Sequence, residues 1–257
     1  MELIMFKTIS QVLRLSLLFV LSANLHAGLK IFYVRHAESG ANVEKQWQKK
    51  PKESWPDYVG NADAFSDKGK TQLQPLAEKL QSYKFDHIFV SPKWRTRHTV
   101  LPYLKMTNQK AVIWPELIEG PGGSAIASSK TKVPTEEIFN KGEPIEIPTE
   151  EKAFFTLRPD GKNHFLAPTH GEEKTRHISC MRAASLRTIE LLKQRYAGQD
   201  KNILLIGHGS AGKGLFLNLT TNGKKAKGQM KNTGLWIAEE QEGGSFKLIM
   251  FNDKKIK

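Results

Sequence analysis

Six short apolar runs punctuate the chain, at residues 30–34, 86–90, 111–114, 202–206, 234–238 and 246–251. In the first, Ile31, Phe32, Tyr33 and Val34 follow one another without a polar break. An unbroken run of this kind suits a central strand covered on both faces. Helical spacing fills the intervals. Leu73, Leu76, Ala77 and Leu80 predict a helix over 67–82, with Ser66 as N-cap. Pro75 should start or kink part of it. A second helix is predicted over 92–104, with Ser91 as cap and Pro92 at the first helical position. The longest, 172–197, aligns Ile178, Met181, Ile189 and Leu192 on one face and meets Gly198 near its end. Strands alternating with helices predict an α/β three-layer sandwich, its central sheet mainly parallel and helices on both faces.

Three segments break the rhythm. Residues 120–165 begin glycine-rich and continue proline-punctuated, and read as an insertion capping the sheet. Residues 45–64 read as a smaller insertion, anchored by Trp47, Trp55 and Tyr58. Residues 1–27 carry Lys7 and Arg14, then the apolar stretch Leu15 to Leu21, then Ala23 and Ala27. That is the layout of a signal peptide, with an uncleaved membrane anchor as the alternative. An exported protein is expected, periplasmic or secreted, with residues 28–257 forming one domain. Once the leader is cleaved, no stable membrane contact is expected.

Composition changes this picture little. The chain is 39% hydrophobic and 25% charged, as globular proteins are. A formal charge of +13 favours anionic partners. Lys224, Lys225 and Lys227 come nearest to a dense basic run, without the interleaved aromatics of a nucleic-acid surface, so no nucleic-acid partner is expected. Cys180, the single cysteine, allows no internal disulfide and reads as a packed helical thiol. His164, His170 and His177 read as structural or surface residues, and no metal or cofactor is expected.

The charged chemistry collects behind the apolar runs. Arg35, His36 and Glu38 follow the first, with Asn42 beyond. Arg95 follows the second, Glu116 and Glu119 the third, and His208 the fourth, between Gly207 and Gly209. Open α/β sheets bind ligands at the carboxyl ends of their strands. Two arginines can hold a phosphate through paired, charge-assisted hydrogen bonds. A neutral imidazole can attack phosphorus, and a second can hydrogen-bond the transferring oxygens. A carboxylic acid can protonate the departing alcohol and then activate water. Arg97 and His98 are expected on the outer face of their helix. Gly207 to Lys213 has the G-x-x-x-x-G-K spacing of a phosphate loop, but Gly214 stands where the magnesium-binding hydroxyl belongs.

The order of these motifs resembles the histidine phosphatase superfamily, in its phosphoglycerate mutase-like branch. Arg35-His36-Ala37-Glu38-Ser39 is similar to that family's Arg-His-Gly-Glu-Ser, with Ala in place of Gly. Ser91, Arg95 and Thr99 fit its Ser-x-x-x-Arg-x-x-x-Thr segment, Leu117-Ile118-Glu119 its acid, and His208-Gly209 its second His-Gly. Ser66, Gly69 and Gln72 fit its intervening helix, and Gly171-Glu172 more loosely the start of the long one. The resemblance implies His36 as phosphorylated nucleophile and Glu119 as proton donor, with Glu116 as the competing acid. It implies Arg35, Asn42, Arg95 and His208 as the phosphate pocket. A metal-independent phosphomonoesterase acting on a phosphorylated small molecule or glycan is the expectation. A phosphoglycerate mutase-like phosphotransferase and a non-catalytic phosphate-binding protein are the alternatives. Nothing in the sequence specifies the oligomeric state.

Overall fold

The computed structural model describes residues 28–119, 142–165 and 173–256, and only the backbone of 173–180. The predicted leader, residues 120–141 of the predicted cap, Gly171-Glu172, and the side chains of Cys180, His170 and His177 lie outside the described residues. Eight strands form one sheet: β1 (Lys30–Arg35), β2 (His87–Val90), β3 (Ala111–Ile113), β4 (Phe155–Thr156), β5 (Asn202–Gly207), β6 (Leu235–Glu240), β7 (Phe246–Phe251) and β8 (Lys254–Lys255). Their order is β4-β3-β2-β5-β1-β6-β7-β8. From β4 to β1 every pairing is parallel, and from β1 to β8 every pairing is antiparallel.

Five α-helices accompany the described sheet: α1 (Gly40–Trp47), α2 (Asp67–Gln81), α3 (Trp94–Thr107), α4 (Glu173–Tyr196) and α5 (Gly209–Leu219). The pleat of β1 divides the core. Ile31 and Tyr33 pack on one face with Leu192 of α4 and Phe216 of α5. Phe32 and Val34 pack on the other with Leu80 of α2 and Leu104 of α3. An apolar run with no polar alternation is what two covered faces require. The helices therefore flank the sheet on both sides.

Several elements differ from the sequence reading. Helix α3 begins at Trp94, with Lys93 rather than Ser91 in the cap position. The Ser91 hydroxyl is instead hydrogen-bonded to His208 Nε2 at 2.9 Å. Pro75 lies inside α2, which runs through it to Gln81. Arg97 is buried rather than outward-facing, because Glu151 closes over that side of α3. Arg97 Nε donates to Glu151 Oε2 at 2.6 Å, and Arg97 Nη1 donates to the Pro92 carbonyl. Half-buried His98 stacks on Trp94. Trp47, Trp55 and Tyr58 are only half-buried. Of the predicted insertion at 120–165, residues 142–165 contribute β4 to the sheet and bring Glu151 and Arg158 into the interior.

Candidate active site

Register places the two key imidazoles together. Arg35 of β1 pairs with Gly207 of β5, so His36 and His208 each stand one residue beyond a matched pair. Their ring centroids are 5.3 Å apart, at 65°. His36 Nδ1 lies 2.6 Å from the Ala37 carbonyl. A carbonyl only accepts, so Nδ1 carries the proton and Nε2 keeps its lone pair. Arg95 Nε donates to that Nε2 at 3.3 Å. One turn along α3, Thr99 Oγ1 accepts from the Ala37 amide at 2.9 Å and donates to the Arg95 carbonyl at 2.6 Å. Residues four apart share a helix face, so Arg95 and Thr99 hold the two ends of the His36–Ala37 unit.

His208 is fully buried. Its Nε2 faces the Ser91 hydroxyl, whose oxygen also accepts the Lys93 amide, at 3.5 Å. With the hydroxyl as donor to Nε2, Nδ1 is the N–H, the tautomer that turns a donor toward Glu119 Oε2. Nδ1 lies 3.5 Å from Glu119 Oε2 and has no hydrogen-bond partner among the described residues. It is a donor held ready for an incoming oxyanion.

Behind His208 stands Tyr33. Its phenol accepts from the His208 amide at 2.7 Å and donates to the His208 carbonyl at 3.0 Å. A Cβ at Gly207 would lie 2.1 Å from the phenol oxygen, and one at Gly212 would lie 2.3 Å from the ring. Both glycines are therefore required for the ring to reach this backbone. Tyr33→Phe should destabilise the fold by about 1–3 kcal/mol, the cost of unpairing a buried polar group. Urea denaturation of the two proteins measures it, and equal midpoints would refute the role assigned to the phenol.

Arg35 closes one side. Its Nη1 donates to the Met230 carbonyl at 2.6 Å, while its buried Nε has no protein partner among the described residues. Glu119 faces the imidazoles: Oε2 is 3.7 Å from Arg95 Nη2, and Oε1 accepts from the Ser210 amide at 3.4 Å. Glu116 points away. The short 3₁₀ turn Pro115–Leu117 carries it inward, where Oε1 accepts from Arg158 Nη1 at 2.5 Å. Asn42 stands at the start of α1, with Oδ1 accepting from the Ser39 amide and from Asn232 Nδ2. That leaves its Nδ2 as the donor end. Asn232 also donates to the His36 carbonyl at 2.9 Å. Asn232 and Tyr33 escaped the sequence reading, since neither lies in a chemically marked stretch.

Electrostatics keep the imidazoles neutral. Burial first, then Arg95, pull the His36 pKa from 6.5 to about 3. Burial, then His36, hold His208 well below 6.5. Because the native state resists protonation, the associated stability is full above about pH 6.5 and declines as pH falls toward 3. In NMR titrations the His36 ring should stay neutral down to about pH 4, with denaturation midpoints falling over the same range. A His36 transition near pH 6.5 would contradict this.

His36, Glu119 and His208 offer ligand atoms within 4.8 Å of one another, a spacing that could hold a metal ion. Arg95 contacts His36 and Glu119, Arg35 lines the adjoining cavity with Glu119, and two guanidiniums favour an oxyanion over a cation.

Comparison with known proteins agrees with this geometry. Residues 31–137 match the family model of the histidine phosphatase superfamily (branch 1). A Schizosaccharomyces pombe protein named "Probable phosphatase C1687.21" is 28% identical over 91 residues, covering 35% of this chain and 38% of that relative's length. The matched segment thus spans well under half of the curated relative. Among solved structures, mycobacterial glucosyl-3-phosphoglycerate phosphatase superposes with a TM-score of 0.52 at 18% identity, covering 87% of this chain and 98% of that one. The α-ribazole phosphatase of Shigella flexneri gives 0.51 at 20%, covering 89% and 98%. At these identities the likeness is one of fold.

Proposed function

We propose that this chain, which carries the histidine phosphatase superfamily signature over residues 31–137, hydrolyses phosphate monoesters through a phosphohistidine on His36. The observation that carries the reading is a pair of buried donors, Arg35 Nε and His208 Nδ1, without protein partners among the described residues in the pocket that holds His36. With Arg95 and the Asn42 amide they suit three phosphoryl oxygens. His36 Nε2 attacks phosphorus as the bond to the leaving oxygen breaks. The carboxyl of Glu119 gives its proton to that oxygen and releases the alcohol. Glu119, now a carboxylate, takes a proton from water as the water oxygen attacks phosphorus. The P–N bond breaks, inorganic phosphate leaves, and His36 and Glu119 return to their starting states. The positive charge facing the transition state comes from side chains, where it stabilises the spreading negative charge.

The substrate is a small phosphorylated molecule or glycan, encountered outside the cytoplasm if residues 1–27 act as the leader their pattern suggests. Turnover of p-nitrophenyl phosphate by chelator-treated protein in ¹⁸O-labelled water tests the reading. The expected result is undiminished turnover and label in the released phosphate. Phosphoryl transfer to an added alcohol without labelled phosphate would indicate a phosphotransferase instead. A saturable complex without turnover would indicate a binding protein.

A further inference from the structure

Beside the reacting groups lies a cavity of about 300 Å³ lined by Arg35, Glu119, Ser210, Lys213, Gln229 and Met230. Glu119 lines it, and a leaving group must lie beside Glu119 to take its proton. Lys213 also lines this space, on α5, four residues past Gly209. That separation is about 6 Å along a helix axis. Among the described residues the polar partner of its ammonium is the Gly228 carbonyl, at 2.9 Å. An ammonium has three donors, and one carbonyl uses one of them. Helix α5 and the Gly228 carbonyl both fix Lys213 against the cavity, and the exposed Gln229 side chain adds an uncharged polar group at its edge.

We infer that this cavity is the leaving-group subsite and that Lys213 selects esters whose alcohol carries a second anionic group, a carboxylate or a phosphate. The inference rests on the phosphatase reading and narrows its substrate class. The arrangement also suits product departure. Once the proton has moved to the leaving oxygen, the Glu119 carboxylate faces the anionic alcohol and repels it.

Three esters on one three-carbon skeleton test this: 3-hydroxypropyl phosphate, 3-(phosphonooxy)propionate and propane-1,3-diyl bisphosphate. The wild-type protein should prefer one or both dianion-bearing esters over the neutral alcohol, and the favoured one identifies the anion. In Lys213→Gln that preference, as a ratio of kcat/KM values, should fall about tenfold or more, chiefly through KM. Lys213→Arg should retain most of it. An unchanged ratio in Lys213→Gln would overturn the inference, as would a wild-type protein indifferent to the second charge or active only on p-nitrophenyl phosphate. In each of those cases hydrolysis itself continues and the phosphatase reading survives. Absence of turnover on every ester would instead overturn both.

Discussion

Replacing His36 with Ala should lower phosphate-ester hydrolysis by about 10⁴-fold or more, since it removes the nucleophile of the proposed reaction. Among the described residues His208 is the nearest imidazole, but its Nδ1 carries a proton and its Nε2 is occupied by Ser91. The variant keeps Arg35, Arg95 and His208, so it should still bind inorganic phosphate or vanadate. Loss of turnover with retained oxyanion binding separates a missing nucleophile from a collapsed pocket. Rapid quenching of the wild-type protein with ³²P-labelled substrate should trap label that is stable in alkali and lost in acid, as expected of a P–N bond. The same quench of the His36→Ala protein should trap none. Hydrolysis that persists in the variant would remove the proposed chemistry altogether.

The second large effect concerns stability. Arg158→Met should destabilise the protein by about 3–5 kcal/mol, because it strands Glu116 as a buried charge. Both side chains of this pair are 1% exposed, and Glu116 Oε2 already lacks a hydrogen-bond partner among the described residues. Combining Arg158→Met with Glu116→Leu should recover much of the loss, since apolar replacement of a whole buried pair is often nearly neutral. Urea denaturation of the single and double variants gives the comparison. Additive losses would show that the pair is not the unit described. Glu116→Gln should likewise act through stability, whereas Glu119→Gln should leave the midpoint unmoved and reduce turnover by about 10²–10⁴-fold.

This division between two glutamates three residues apart shows what the sequence could and could not convey. Both follow β3, both are acidic, and spacing alone leaves them competing. What separates them is Arg158, 42 residues beyond Glu116, brought inward by a segment that carries no readable motif. The six longer strands were legible because each is built around a short apolar run. Strands β4 and β8 were not, because a two-residue strand has no periodicity. Arg35, His36, Arg95 and His208 were legible by their place at or soon after strand ends, and the structure sets them around one space. Lys213 was visible only as part of a failed phosphate-loop pattern, and Tyr33 only as one more apolar strand residue. Their positions depend on the register of β1 against β5 and on where α5 turns, which are tertiary facts. Arg97 was misplaced for the same reason. Nothing in α3 signals that Glu151 will cover its outer face.

The two shortest strands also bear on how the protein behaves in company. β4 and β8 are the margins of the sheet, and each is two residues long. A neighbouring chain seeking to continue the ladder would find almost no free N–H and C=O groups to pair with. At the β8 margin it would also meet Lys254 and Lys255, both exposed. Short, lysine-bearing borders are a recognised defence against edge-to-edge aggregation. Among the described residues, self-association by strand addition is therefore disfavoured at both ends of the sheet.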